Sequence, residues 1–360
     1  MFEISIQAGI PTCLLGPNGI GKTSRLITLA QVLNKKLVKV PLLGAEPSDF
    51  VGYPTVRDDV LDFVPPRFIK QLKEDSNHIL LFDEINRVPP DKIQALVCQI
   101  VDRRRGLFDI PDEVLICATG NEDDLGVFRP SKMLRSRFAW FSMTSDIKSF
   151  LHYLKTGEFQ NNFQILPPDW ENNILWGRNL MHIFLAARPS VLLVKDDESK
   201  NFEYPVPTQR GCDNLIRLWA ALRSVGKRSL EYLTEAARAV CGTVFAMELQ
   251  EYFSRMNMPN VETFLDYVLN VQEYEFSSNV GPSLYLCFSE VLAYLDDIGN
   301  KEPLRAKEIW KKSVEYLERF YISKEKEIEY CVSIIHVFMK SKYRGQLSTN
   351  VMRMFKPLVS

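Results

Sequence analysis

The feature that most constrains this chain is the octet Gly16-Pro-Asn-Gly-Ile-Gly-Lys22-Thr23, which fits the pattern GxxxxGK[ST] without deviation. An apolar, strand-like run at Pro11–Leu15 precedes it, and a helical stretch, Lys22–Leu33, opens on its lysine. Glycines at this spacing let the backbone wrap a phosphate with its amides pointing inward, and the helix N-terminus adds a favourable dipole. On this reading Gly16, Pro17, Asn18, Gly19, Ile20, Gly21, Lys22, Thr23 and Ser24 cradle ATP. Lys22 would place a point charge on the β- and γ-phosphates, and Thr23 would offer its hydroxyl to Mg²⁺.

A second run, His78-Ile-Leu-Leu-Phe-Asp83-Glu84, is an apolar strand that ends in two carboxylates. In an open parallel sheet the C-terminal ends of the strands form the rim of the ligand crevice, so both acids are expected near the phosphate loop. Asp83 is expected to hold the metal ion through water. Glu84 is expected to orient and polarise an attacking water, because in-line displacement at phosphorus is mostly a matter of positioning. That second carboxylate favours hydrolysis over phosphoryl transfer to a small molecule.

The segments around these motifs predict the fold. Strand-like runs at Lys36–Val40, Ile79–Phe82, Val114–Ala118 and Phe138–Met143 alternate with helical stretches, among them Pro90–Asp102. Alternation of this kind implies a parallel sheet covered on both faces. Beyond Ser145 helical periodicity dominates, at Asp146–Leu154, Asn214–Val225, Ser229–Tyr252, Val261–Val271, Pro282–Leu295, Pro303–Tyr321 and Lys324–Lys342. The expected class is therefore α/β, a P-loop NTPase parallel-sheet domain over residues 1–145 followed by an all-helical lid and C-terminal region over 146–360. A chain of 360 residues is long enough for such a division. Its 44 basic and 45 acidic residues nearly cancel, which argues against a protein that coats nucleic acid. Seven scattered cysteines without a CxxC pair, no apolar run of membrane-spanning length and no signal-like start point to a reduced, cytoplasmic protein.

Four stretches in one order resemble a known family. The phosphate loop is followed by Leu81-Phe-Asp-Glu-Ile-Asn-Arg87-Val-Pro-Pro90, then Ala118-Thr-Gly-Asn121, then Leu134-Arg-Ser-Arg137-Phe138. Together they resemble AAA+ ATPases of the MoxR and dynein-related group across about residues 10–145, and Gly44–Pro54 resembles the segment after that group's second core strand. The resemblance implies that Asn121 aligns the hydrolytic water with Glu84. It also implies that Arg137, or else Arg135, reaches a neighbouring subunit's nucleotide as an arginine finger. Pro207-Thr-Gln-Arg210 resembles the start of a lid helix, with Arg210 expected on the γ-phosphate of its own subunit. Gly120-Asn-Glu-Asp-Asp124 departs from the group's usual turn after the sensor strand in being strongly acidic.

Two surface elements stand out. Gly52–Phe63 has the look of a hairpin with a polar turn at Arg57–Asp59; Phe50 and Tyr53 either face a central channel or pack internally. Arg103–Ile110 suggests a second hairpin, its three arginines either solvated or in contact with a partner. The function the resemblance implies is an oligomeric, hexameric ATPase that remodels a protein client. A nucleic-acid motor or restriction-machine subunit is the alternative, and a small-molecule kinase or a non-hydrolysing scaffold would also carry a phosphate loop.

Overall fold

The computed structural model describes residues 1–90, 92–103, 108–122, 126–157, 162–192, 205–256, 259–276, 279–299, 301–321, 330–331 and 334–335. Two compact units divide the chain, residues 1–250 and 251–360.

In the first unit, α1 (Phe2–Gln7) leads into β1 (Thr12–Gly16), the phosphate loop, α2 (Lys22–Val32) and β2 (Lys36–Pro41). A short α3 (Ser48–Val51) precedes the hairpin β3 (Tyr53–Arg57) and β4 (Val60–Val64), then α4 (Arg67–Glu74) and β5 (His78–Asp83). There follow α5 (Ile93–Val101), β6 (Leu115–Asn121), α6 (Lys132–Arg135) and β7 (Ala139–Ser142). The helices α7 (Ile147–Thr156), α8 (Ile174–Ala187), α9 (Gln209–Ser224) and α10 (Leu230–Cys241) come after the sheet, and the boundary at residue 250 falls within α11 (Thr243–Ser254).

Five strands form one parallel sheet in the order β2-β5-β6-β1-β7. Its three inner strands β5, β6 and β1 are buried on both faces because helices cover both, and their side chains alternate strictly. Cys13, Leu15, Leu80, Phe82, Ile116 and Ala118 enter one core with α5. Leu14, Ile79, Leu81, Leu115 and Cys117 enter the other with α1 and α2. Because every strand runs the same way, the ends of β1, β5 and β6 share one rim, with Gly16 level with Asn121. Thr12, level with Cys117 and Ala139, marks the opposite rim.

The hairpin is present, with its turn at Asp58-Asp59. Both residues take positive φ, 51° and 60°, as a two-residue turn matched to strand twist requires. Phe50 is buried edge-on against Phe68, so it packs internally, while Tyr53 is exposed. The expected helix over Ser229–Tyr252 is two helices. Gly242 breaks it at φ 92°, where a Cβ would stand 2.6 Å from the Pro205 carbonyl oxygen. The Asn- and Pro-rich stretch after Gly157 contains α8, and Arg188 and Pro189 end it. The turn of the expected Arg103–Ile110 hairpin lies outside the described residues, as does nearly all of the expected helix Lys324–Lys342.

After the sheet, α9 packs against α8, α10 and α1, and α10 lies against the edge strand β7. Trp219 of α9 is fully buried, and its indole Nε1 donates to the Leu233 carbonyl of α10 at 3.1 Å. Trp219→Phe keeps most of the buried ring but loses that bond, so unfolding stability should fall by about 1–2 kcal/mol in denaturant titration. A wild-type midpoint would show that the indole does not hold this helix pair.

The second unit holds α12 (Val261–Leu269), α13 (Val280–Ile298) and α14 (Pro303–Phe320). Phe264, Phe288 and Tyr316 meet at its centre with ring centroids 5.3–5.9 Å apart, and the Tyr316 hydroxyl accepts from the Tyr274 amide.

Candidate nucleotide site

The phosphate loop leaves β1 at Gly16 and enters α2 through Gly21, whose left-handed φ of 89° caps the helix without a side chain. Lys22 folds back across the loop. Its ammonium donates to the Gly16 and Pro17 carbonyls at 2.8 Å each and to Asn121 Oδ1 at 2.9 Å. Burial pushes the lysine pKa down, and Asp83, Glu84 and Glu122 oppose that shift.

Asp83 ends β5 on the same rim. Its Oδ1 accepts from the Thr23 hydroxyl at 3.2 Å and from the Thr119 hydroxyl; its Oδ2 faces Lys39 Nζ at 2.5 Å. Burial alone would raise the carboxyl pKa. Hydrogen bonds from Lys39, Thr119 and Thr23, with the Lys39 charge, hold it below the ordinary range instead. Asp83 therefore stays an anion beside a threonine hydroxyl, a donor pair that suits Mg²⁺, which keeps several waters and takes its remaining oxygens from phosphates. Among the described residues no group of three or more His, Cys, Asp or Glu could hold a metal without such help.

Glu84 is held with its backbone at φ 61°, an uncommon conformation for a side-chain-bearing residue. The Thr119 hydroxyl accepts from the Glu84 amide and the Thr119 carbonyl from the Ile85 amide, which fixes the turn. Asn121 Nδ2 then donates to Glu84 Oε1 at 3.4 Å. Asn86 fastens Asn121 from behind by two bonds, its Nδ2 to the Asn121 carbonyl and its Oδ1 from the Asn121 amide. A cavity of about 600 Å³ opens beside Asn18–Gly21, walled by Phe2, Phe141, Met143 and Phe163. At its side the Arg25 guanidinium lies 5.2 Å from the ring centres of both Phe2 and Phe163. An apolar hollow next to a phosphate cradle suits a flat base.

The arginines stand elsewhere. Arg137 precedes β7 on the opposite rim and grips Asp102 with two bonds, Nε to Oδ1 at 3.1 Å and Nη2 to Oδ2 at 2.7 Å. Its Nη1 donates to the Met133 carbonyl at 2.9 Å. Arg210, in the first turn of α9, reaches the same Asp102 Oδ1 at 3.1 Å. Arg135 points into the protein, where it is buried.

Residues 11–138 match the family described as AAA domain (dynein-related subfamily). This segment is an AAA+ domain. A Lon protease of Ureaplasma parvum serovar 3 is 41% identical over 83 residues, 22% of this chain and 10% of that protein. A Lon protease of Clostridioides difficile is 37% identical over 82 residues, again 22% of this chain and 10% of the other. The chain thus spans 10% of the length of these relatives. A crystal structure of a Cytophaga hutchinsonii protein overlays 70% of this chain and 86% of its own at 18% identity and a TM-score of 0.49.

The structure brings Lys22, Thr23, Asp83, Glu84 and Asn121 of the AAA+ domain together on one rim. It does not bring Arg210 there: tied to Asp102, this arginine stands across the sheet from its own phosphate loop, beside Arg137. Three partners were not foreseen from sequence. Thr119 follows Ala118 in the strand motif and could have been suspected from its spacing. Lys39 and Asn86 are ordinary polar residues until the fold sets them against Asp83 and Asn121.

Proposed function

We propose that this chain binds ATP with Mg²⁺ and hydrolyses it, working as a ring oligomer, a hexamer of the MoxR kind, that remodels a protein client. One observation carries the hydrolytic reading: a single amide, Asn121, touches both the phosphate-loop lysine and Glu84. It links the group expected on the γ-phosphate to the group expected on the attacking water. Lys22 and the loop amides would bind phosphate, Thr23 and Asp83 would hold the metal ion, and Glu84 would take a proton from water aligned by Asn121. The metal would neutralise developing phosphate charge.

Multisubunit action is supported by the arginines. Arg137 and Arg210 occupy the rim away from their own loop, so the nucleotide they serve is a neighbouring subunit's, with Arg137 rather than the buried Arg135 as the finger. We place the start of the lid at residue 146 and the protein in the cytoplasm; no helix among the described residues is long and apolar enough to cross a membrane.

The test is purified protein with ATP and Mg²⁺, read by phosphate and ADP release. The two products should appear in equal amounts, and chelating the metal with EDTA should bring release to background. ADP formed without free phosphate would instead identify a phosphotransferase.

A further inference from the structure

We infer that Asp102 is a positioning residue that joins Arg137 and Arg210 into one cationic unit serving a neighbouring subunit's nucleotide. The inference rests on the hydrolase reading above and goes beyond it by naming what holds these two arginines in place.

Asp102 is the first residue after α5, and its carboxylate is 13% exposed. Both of its oxygens are taken by Arg137, and Oδ1 is shared with Arg210. The Arg137 side chain is 14% exposed and has three of its five N–H groups occupied, counting the bond to Met133. One hydrogen therefore remains on each terminal nitrogen. Arg210 is 37% exposed and pairs with Asp102 through one nitrogen, Nη1. The cluster holds two positive charges against one negative. It is one anion short of neutral, and its free donors are fork-shaped, the geometry that suits a phosphate.

The three residues come from three different places. Asp102 lies between α5 and β6, Arg137 between α6 and β7, and Arg210 in the turn of α9 that the Thr208 hydroxyl caps. Moving α9 therefore moves a guanidinium ion-paired with the carboxylate that orients Arg137. A merely structural ion pair would account for the burial. It would not account for two arginines sharing one acid while both keep donors free.

The experiment uses the full chain, with three readouts. Asp102→Asn keeps the shape and removes the charge that aligns both guanidinium groups. Since displacement by about 1 Å at a catalytic group costs up to about 100-fold, kcat should fall roughly 10- to 100-fold. KM and the nucleotide Kd should hold within about twofold, because the variant's own phosphate loop is untouched. Mixing D102N with E84Q should then restore turnover. The E84Q subunits carry intact arginines and the D102N subunits an intact water-activating site, so a mixed oligomer contains working junctions that neither variant has alone. Asp102→Glu, which keeps the charge, should lose less than D102N.

A D102N variant with wild-type kcat would overturn the inference. So would a slow D102N that E84Q cannot rescue, since the damage would then lie within its own site. Should D102N fail to fold, D102E carries the same mixing test, and an unrescued loss there counts equally against it. A wild-type chain without turnover would refute the hydrolase reading itself and this inference with it.

Discussion

Lys22→Ala should abolish measurable ATP binding and lower phosphate release by about 10²- to 10³-fold, the scale seen when one preorganised donor is removed from a developing phosphate or oxyanion charge. The expectation comes from where the ammonium already is. It is nearly buried, and its three bonds go to two loop carbonyls and to Asn121. With alanine the loop loses its cation and three acceptors lose the ammonium, although the Gly16 carbonyl keeps the Glu122 amide. The cradle is then weakened before any nucleotide arrives. Arginine is no remedy, because a planar fork cannot occupy a site made for a compact ammonium with carbonyls at 2.8 Å on one side. Isothermal titration with ATP and a phosphate-release assay decide the matter together. An alanine variant that bound ATP within about threefold of wild type would mean that the loop does not use this lysine, contrary to the role such lysines have in phosphate loops.

The core of this site was legible in the sequence because its parts are local. A glycine-rich octet between a strand and a helix carries its own geometry, and β5 could be read to its last residue because an apolar run ends in two acids. Asn121 lies on that same rim, where β6 ends level with Gly16. What could not be read depends on long-range closure. Thr208 does cap a helix, as the segment before Arg210 suggested, but an N-cap says nothing about which rim of a sheet that helix will meet. Only the packing of α9 on α1, α8 and α10 decides that, and it carries Arg210 to Asp102. Lys39 is invisible for a similar reason. It is one exposed lysine on an edge strand until the β2–β5 register sets it two residues below Asp83's partner. The break at Gly242 shows the converse, since apolar periodicity runs straight through a residue whose backbone leaves the helix.

Glu84→Gln separates binding from chemistry. Glutamine keeps the length and shape of the side chain and can still bond the Asn121 amide through its oxygen, so the turn at φ 61° and the contacts from Thr119 should survive. ATP affinity should stay within a few-fold of wild type, because Lys22 and Asp83 are unaltered. What disappears is a base able to take a proton from water, worth about 10²- to 10⁴-fold in rate. The same variant addresses the oligomer. If neighbouring subunits' arginines complete each site, bound triphosphate that cannot be cleaved should hold the subunits together, and light scattering with ATP should show a larger, longer-lived species than wild type. Retained hydrolysis would remove Glu84 from the chemistry and leave Asp83 as the acid to test. A variant that binds ATP, does not hydrolyse it and stays monomeric would keep the chemistry but defeat the ring, because the triphosphate would then persist with no neighbour gathered around it.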